Sequence, residues 1–207
     1  MLCGTWSLPD WPSSANPVSA STVLPVDLGD GVQLAATTAA DAVEAFEIVD
    51  AERHRLREWL PWVDDTVDVE TERAFLTSIE QVNAVGTGLH ATIRCDGELA
   101  GLVGVRLDGL HACAEVGYWL GERWVGRGVM TRAVAAMIDL AFGELGIHRV
   151  ELLAATENVR SRAIAERLGM TFEGIRREAE ELARGFVDLA MYSILAQDWP
   201  DRERPNL

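Results

Sequence analysis

A chain of 207 residues holds one sizeable core, so a single domain with tails is the natural count. Its 33 acidic and 18 basic residues leave a formal net charge of −15, which argues against nucleic acid or an anionic membrane as partner. The first basic residue is Arg53, no apolar run is long enough for a signal segment or a membrane span, and Cys3, Cys95 and Cys113 form no C-x-x-C pair. A cytoplasmic protein without a disulfide framework or a metal site is expected.

Residues 1–22 mix Pro, Ser, Trp and Ala without periodicity and read as an extended or poorly ordered arm. Trp6 and Trp11 are unusual residues to leave in water, and are expected to dock on the domain or on a second subunit. The domain is expected over residues 23–198, with 199–207 as a tail. A strand near Val32–Ala36 is followed by a helix from about Ala40 to Leu60, a Trp59-Leu60-Pro61-Trp62 corner, and a second helix over Val69–Asn83. Leu89–Cys95 and Leu99–Leu107 read as strands joined by Asp96-Gly97, a strong hairpin signal. A third strand runs from Ala112 to Leu120, and Gly117 within it marks a bulge or a close backbone approach.

The strand is followed by Gly126-Arg127-Gly128 and then by Met130, Val134, Met137, Ile138 and Ala141, which share one helical face ending at Gly143. A glycine-bearing entry into a helix is a phosphate cradle, because the first N–H groups have no intrahelical partner and the macrodipole adds positive character. Two common nucleotide loops do not fit. The chain contains no lysine, which removes the P-loop, and Thr131 stands where a dinucleotide fingerprint has its third glycine. Farther on come a strand at Arg149–Ala154, a helix over Asn158–Leu168 closed by Gly169, and strands near Thr171–Arg176 and Phe186–Leu195. Such an order predicts an α/β chain with a mixed, mostly antiparallel sheet, helices on its faces, and one parallel, right-handed crossover centred on Gly126. The four histidines, His54, His90, His111 and His148, are scattered without metal spacing and are read as structural or surface residues. Cys95 and Cys113 fall in strands and are read as small buried hydrophobes.

The run A-E-V-G-Y-W-L, the G-R-G turn, N-x-x-S-x-x-x-x-E-R-L-G-M, F-E-G and the W-L-P-W corner together resemble the GCN5-related N-acetyltransferases, in particular the RimJ/RimL branch that acetylates protein N-termini. The resemblance covers about residues 23–197 and implies that family's fold, with bulged and splayed middle strands, and acetyl-CoA as the donor. Two registers lay the family's Q/R-x-x-G-x-G/A loop on this chain. Arg123-x-x-Gly126-x-Gly128 fits the letters; the register that preserves strand-to-helix spacing puts Val125 first, Gly128 in the middle and Met130 last. In the second register the Q/R side chain is missing. Pyrophosphate binding then falls on the backbone from Gly126 through Val129 to Thr131, helped by Arg127 and the Thr131 hydroxyl.

The resemblance also implies pantetheine contacts from the main chain of Trp119 and Leu120, with Asn158 and Ser161 matching the family's N-x-x-S. Asn158 is suited to a pantetheine hydrogen bond and Ser161 to protonating the leaving thiolate, although both also fit as the N-cap and N3 of one helix. Glu180 matches the glutamate proposed as base in RimL-like enzymes; its setting, Arg177-Glu178-Ala179-Glu180-Glu181, otherwise reads as a solvated charge run. Glu115 is the rival base. Trp59 and Trp62 belong to the variable substrate groove or to packing. The function implied is direct transfer of acetyl to a primary amine, the α-amine of a protein or peptide N-terminus, by a homodimer. The alternatives are a small-molecule, antibiotic or aminoacyl-nucleotide acetyltransferase, and a CoA-binding module without catalysis.

Overall fold

The computed structural model describes residues 20–199. Its eight strands are β1 (Val26–Asp27), β2 (Val32–Ala36), β3 (Gly88–Cys95), β4 (Glu98–Asp108), β5 (Cys113–Leu120), β6 (Arg149–Ala155), β7 (Thr171–Leu182) and β8 (Gly185–Leu195). They form one sheet in the order β1-β2-β3-β4-β5-β6-β8-β7. Every neighbouring pair is antiparallel except β5 and β6, the parallel pair expected from the crossover. The Asp96-Gly97 hairpin is present, with φ of 52° and 86° at its two residues, the twist that joins antiparallel strands.

The helices are α1 (Ala20–Val23), α2 (Ala42–Ala51), α3 (Arg53–Leu56), α4 (Val69–Val85), α5 (Val129–Gly143) and α6 (Val159–Arg167). Of the expected N-terminal arm, residues 1–19, including Cys3, Trp6 and Trp11, lie outside the described residues, and Ala20 is buried. On one face of the sheet α5 packs Met137, Ile138 and Ala141 onto Ile93, Val103, Val116 and Leu152. On the other, α2 and α4 bring Ala45, Val49 and Leu76 onto Leu102 and Trp119. Burying each large aliphatic side chain contributes about 1.5–3 kcal/mol, which is what holds helices to both faces.

The helix expected over 40–60 is interrupted. At Glu52 the backbone leaves helical geometry, with φ −112° and ψ 14°. The Glu52 carboxylate accepts the N–H of Glu122 at 2.9 and 3.0 Å and also pairs with Arg55, so this position serves a turn far away in sequence rather than the helix. A helical pattern alone carries no trace of that long-range contact. The terminal hairpin is longer than expected: β7 continues to Leu182, with a register shift between Arg176 and Glu180.

The irregularity expected at Gly117 takes another form. Pairing of β4 with β5 runs without a shift from Leu107↔Ala114 to Gly101↔Leu120, through Gly104↔Gly117. The shift in the middle of the sheet lies between β3 and β4 at Ile93/Arg94. On the other side of β5, pairing to β6 ends at Glu115↔Glu151. Beyond that point the two parallel strands part, and the gap between them opens through the sheet.

Candidate active site

Alternation along β5 decides what faces this gap. The Gly121 N–H donates to the Ala100 carbonyl at 2.8 Å, so the odd-numbered residues of β5 turn their backbone groups toward β4. The even ones, Val116, Tyr118 and Leu120, turn theirs toward the side that β6 has left. Trp119, expected to offer main-chain groups to pantetheine, is therefore committed to β4, and its ring is buried beside Trp62 at 6.4 Å. The Leu120 carbonyl does face the gap and already accepts a hydrogen bond from Arg55 at 2.9 Å.

A cleft of about 1210 Å³ follows the gap. One wall is the start of α5. Val125 has an extended backbone and donates its N–H to the Glu122 carbonyl, and Gly126 and Gly128 have φ of 80° and 74°. An added Cβ at either glycine would meet nothing within 4 Å, so the positive φ is what requires glycine here. Gly128 is the N-cap, with no side-chain hydrogen bond, and the first intrahelical bond is Arg132 N–H to the Gly128 carbonyl. The N–H groups of Val129, Met130 and Thr131 are thus the ones without helical acceptors, at the positive end of a 15-residue helix lining the cleft. Arg127, expected to assist, is exposed and lies 5.5 Å over the Trp124 ring.

The opposite wall is α6. Asn158 caps it, accepting the Ser161 N–H on its side-chain oxygen at 3.1 Å. The Ser161 hydroxyl lies 2.8 Å from the hydroxyl of Tyr118, a residue that sequence reasoning missed. Burial pushes the Tyr118 phenol up to about 12, against the pull of the serine hydrogen bond. The period-two pattern of β5 puts Tyr118 on the side of Val116, toward α5; that was the available signal.

Through the gap, on the face away from α5, stand Trp59, Leu153, Ala155 and Glu180. Glu180 follows the register shift in β7, is only 6% exposed, and its Oε1 has no hydrogen-bond partner among the described residues. It is not part of a solvated charge run. Burial raises its pKa, and the negative charge of Glu115 acts in the same direction. Glu115 itself is paired with Arg106 at 2.7 Å and is not among the residues lining the cleft. Trp62 is likewise outside the cleft, stacked on Phe75 at 6.4 Å beside a smaller apolar pocket. Cys113 is poorly suited to be a nucleophile, since burial first and Glu151 next push its thiol up to about 11. Among the described residues no group of three or more His, Cys, Asp or Glu is placed to hold a metal ion.

A family model described as an acetyltransferase (GNAT) domain matches residues 32–171, spanning both walls of the cleft and all but β1 and the final hairpin of the sheet. The chain belongs to the GNAT acetyltransferase family. This GNAT chain is 32% identical over 161 residues to a putative ribosomal N-acetyltransferase, YdaF, of Bacillus subtilis, covering 77% of this chain and 88% of that one. It is 23% identical to the ribosomal-protein-serine acetyltransferase of Escherichia coli over 81% of this chain and 94% of the relative. Among solved structures, Mycobacterium smegmatis RimJ in complex with CoA-disulfide superposes with a TM-score of 0.79 at 26% identity, covering 86% of this chain and 88% of that one. The GNAT chain is an acetyl-CoA-dependent N-acetyltransferase.

The cleft fits that donor by its geometry. Three acceptor-less N–H groups at the end of α5 suit a pyrophosphate, and the unpaired edge of β5 suits a peptide-like arm that needs backbone partners. The thioester would supply an activated acetyl carbon where the two faces of the sheet meet.

Proposed function

We propose that this enzyme acetylates the α-amine of a protein N-terminus, with Glu180 as the base on the acceptor side of the sheet and Ser161 as the proton donor on the donor side. The observation that carries the reading is that a buried carboxylate and a hydroxyl pair line one cleft from opposite faces of the sheet. Glu180 accepts a proton from the attacking amine. Burial raises its affinity for that proton, and brings it nearer to an α-amine of pKa about 7.7–8.0 than an ordinary carboxylate stands. A lysine amine, at about 10.4, is a poorer match. Ser161, held by Tyr118, supplies the proton that the departing sulfur takes up. Backbone N–H groups of Val129, Met130 and Thr131 hold the pyrophosphate, and Trp59 flanks the acceptor.

Relatives named as ribosomal-protein acetyltransferases support a ribosomal protein as the acceptor and the cytoplasm as the place of action. Residues 23–198 form the working unit. Exposed Phe172, Ile175 and Phe186 on the terminal hairpin support a homodimer. Thiol release from acetyl-CoA, measured with N-terminal peptides of ribosomal proteins, aminoglycosides and aminoacyl nucleotides, tests the reading. Peptide-dependent release is expected. Release with only the small molecules would move the enzyme to another acceptor class, and tight acetyl-CoA binding without release for any amine would mark a non-catalytic module.

A further inference from the structure

We infer that Trp59, Glu157 and the Glu58 carbonyl form a cation subsite at the acceptor mouth of the cleft, for a lysine or arginine at the second or third residue of the acceptor peptide. The enzyme's own Arg184 fills it when no acceptor is bound. The inference rests on a peptide N-terminus as acceptor and specifies the side chain that follows the amine.

Leu182 pairs with Gly185, so Ala183 and Arg184 form the tip of the β7–β8 hairpin, where a long charged side chain would ordinarily extend into water. This one reaches back. Its guanidinium lies 4.6 Å over the Trp59 ring and donates to the Glu157 carboxylate at 2.7 Å and to the Glu58 carbonyl at 3.2 Å. A ring face, a carboxylate and a carbonyl are the partners that a planar cation can use together. They come from the loop after α3 and the turn before α6, and the hairpin supplies only the cation. Glu58, Trp59 and Glu157 all line the cleft, whereas Arg184 is not among the lining residues.

The contact is loose enough to exchange. The Arg184 and Glu157 side chains are 37% and 70% exposed, and ion pairs open to water contribute little to a fold and are screened by salt. Arg149 shows the contrast, 24% exposed and gripped by both Glu151 and Glu173 across the sheet. Arg184 thus keeps the subsite formed without sealing it.

Placement assigns the ligand. Trp59 and Val187 pack on the same cluster of Leu153, Ala155 and Leu189, and Val187 is the cross-strand partner of Glu180. The subsite therefore lies beside the base, whose buried Oε1 has no hydrogen-bond partner among the described residues. With its amine at Glu180, an extended acceptor advances about 3.3–3.6 Å per residue, which brings its second or third side chain to Trp59 and Glu157. Glu58 and Glu157 both line this mouth, so a cation is favoured there and an anion disfavoured.

Steady-state kinetics with acetyl-CoA and peptides carrying Lys, Ala or Glu at the second or at the third residue test this. In the wild type an incoming lysine exchanges with Arg184, so its KM should lie only about twofold below that of the Ala peptide. Arg184→Gln leaves the subsite open, and the preference should grow to about tenfold at one of the two positions. Arg184→Lys refills the subsite and should return the preference toward the wild-type value. Adding Glu157→Gln to Arg184→Gln should remove most of it, with kcat moving less than KM. A preference in Arg184→Gln no larger than that of the wild type at both positions, or one that survives loss of Glu157, overturns the inference. So does an equal fall in rate for all peptides in Arg184→Gln that Arg184→Lys restores, which would make Arg184 a strut of the hairpin. Acetylation of small amines but of no peptide by the wild type would overturn the peptide acceptor itself, and is distinguishable because it shows before any substitution.

Discussion

The hydroxyls of Tyr118 and Ser161 lie 2.8 Å apart, joining the unpaired edge of β5 to the first turn of α6. Burial holds the phenol protonated far above neutral pH, so Tyr118 can donate to Ser161 Oγ and leave the serine hydrogen available to the cleft. Tyr118→Phe keeps the ring and removes the donor. It is expected to lower kcat about tenfold with little change in acetyl-CoA affinity, the mark of an interaction used in the reaction rather than in binding. Ser161→Ala should cost more, and the double variant should be no worse than Ser161→Ala alone. Additive losses in steady-state kinetics would show that the two hydroxyls act separately.

Glu180 must be ionised to act as base, and its pKa is raised by burial and by Glu115. Activity of the wild type should therefore fall as pH drops through a raised carboxylate pKa, higher than an exposed glutamate would give. Glu180→Gln is expected to lose about 100-fold in kcat below neutral pH. The loss should shrink at alkaline pH, where the amine is already neutral, and acetyl-CoA affinity should stay intact. A pH–rate profile with the same shape and height for both proteins would hand the role to Glu115 or to water.

At the phosphate cradle, Gly128 has φ 74° and space around its missing side chain. Substitution is therefore a backbone effect. Gly128→Val forces a β-branched residue into the left-handed region at a cost of about 1–2 kcal/mol and should raise the CoA dissociation constant roughly tenfold. Gly128→Asn, which tolerates that region, should be milder. If calorimetry gave equal losses for both, the side chain rather than the backbone would be obstructing the ligand.

How far the sequence reached depended on the range of the interactions involved. The apolar period of α5, the Asp96-Gly97 turn and the G-R-G entry are local signals, and each appears in place. Burial of Glu180 was not legible, because five consecutive charged or small residues look solvated until the β7 register shift turns one of them inward. The break at Glu52 depends on a partner 70 residues away, and the partnership of Tyr118 with Ser161 spans 43. Nor could composition tell which arginines were paired. The parting of β5 from β6 after Glu115 is a property of two strands at once; the family resemblance implied splayed middle strands and Gly117 lies where they part, while its pairing with β4 carries no bulge.

Glu72 lies away from the cleft, in the first turn of α4, 1% exposed, with Oε2 lacking a hydrogen-bond partner among the described residues. Burial raises its pKa from 4.5 to about 7. The folded state thus holds the proton more tightly than the unfolded chain. Its contribution is fully present below about pH 4.5 and is lost as pH rises through 7, because a charged carboxylate must then be buried. Glu72→Gln keeps the shape and removes the titration. The variant should be about 1–3 kcal/mol more stable than the wild type at pH 8, and nearly equal to it at pH 4.5. Urea unfolding at the two pH values measures this difference, and a variant less stable at pH 8 would show that the charged form of Glu72 has a partner worth keeping.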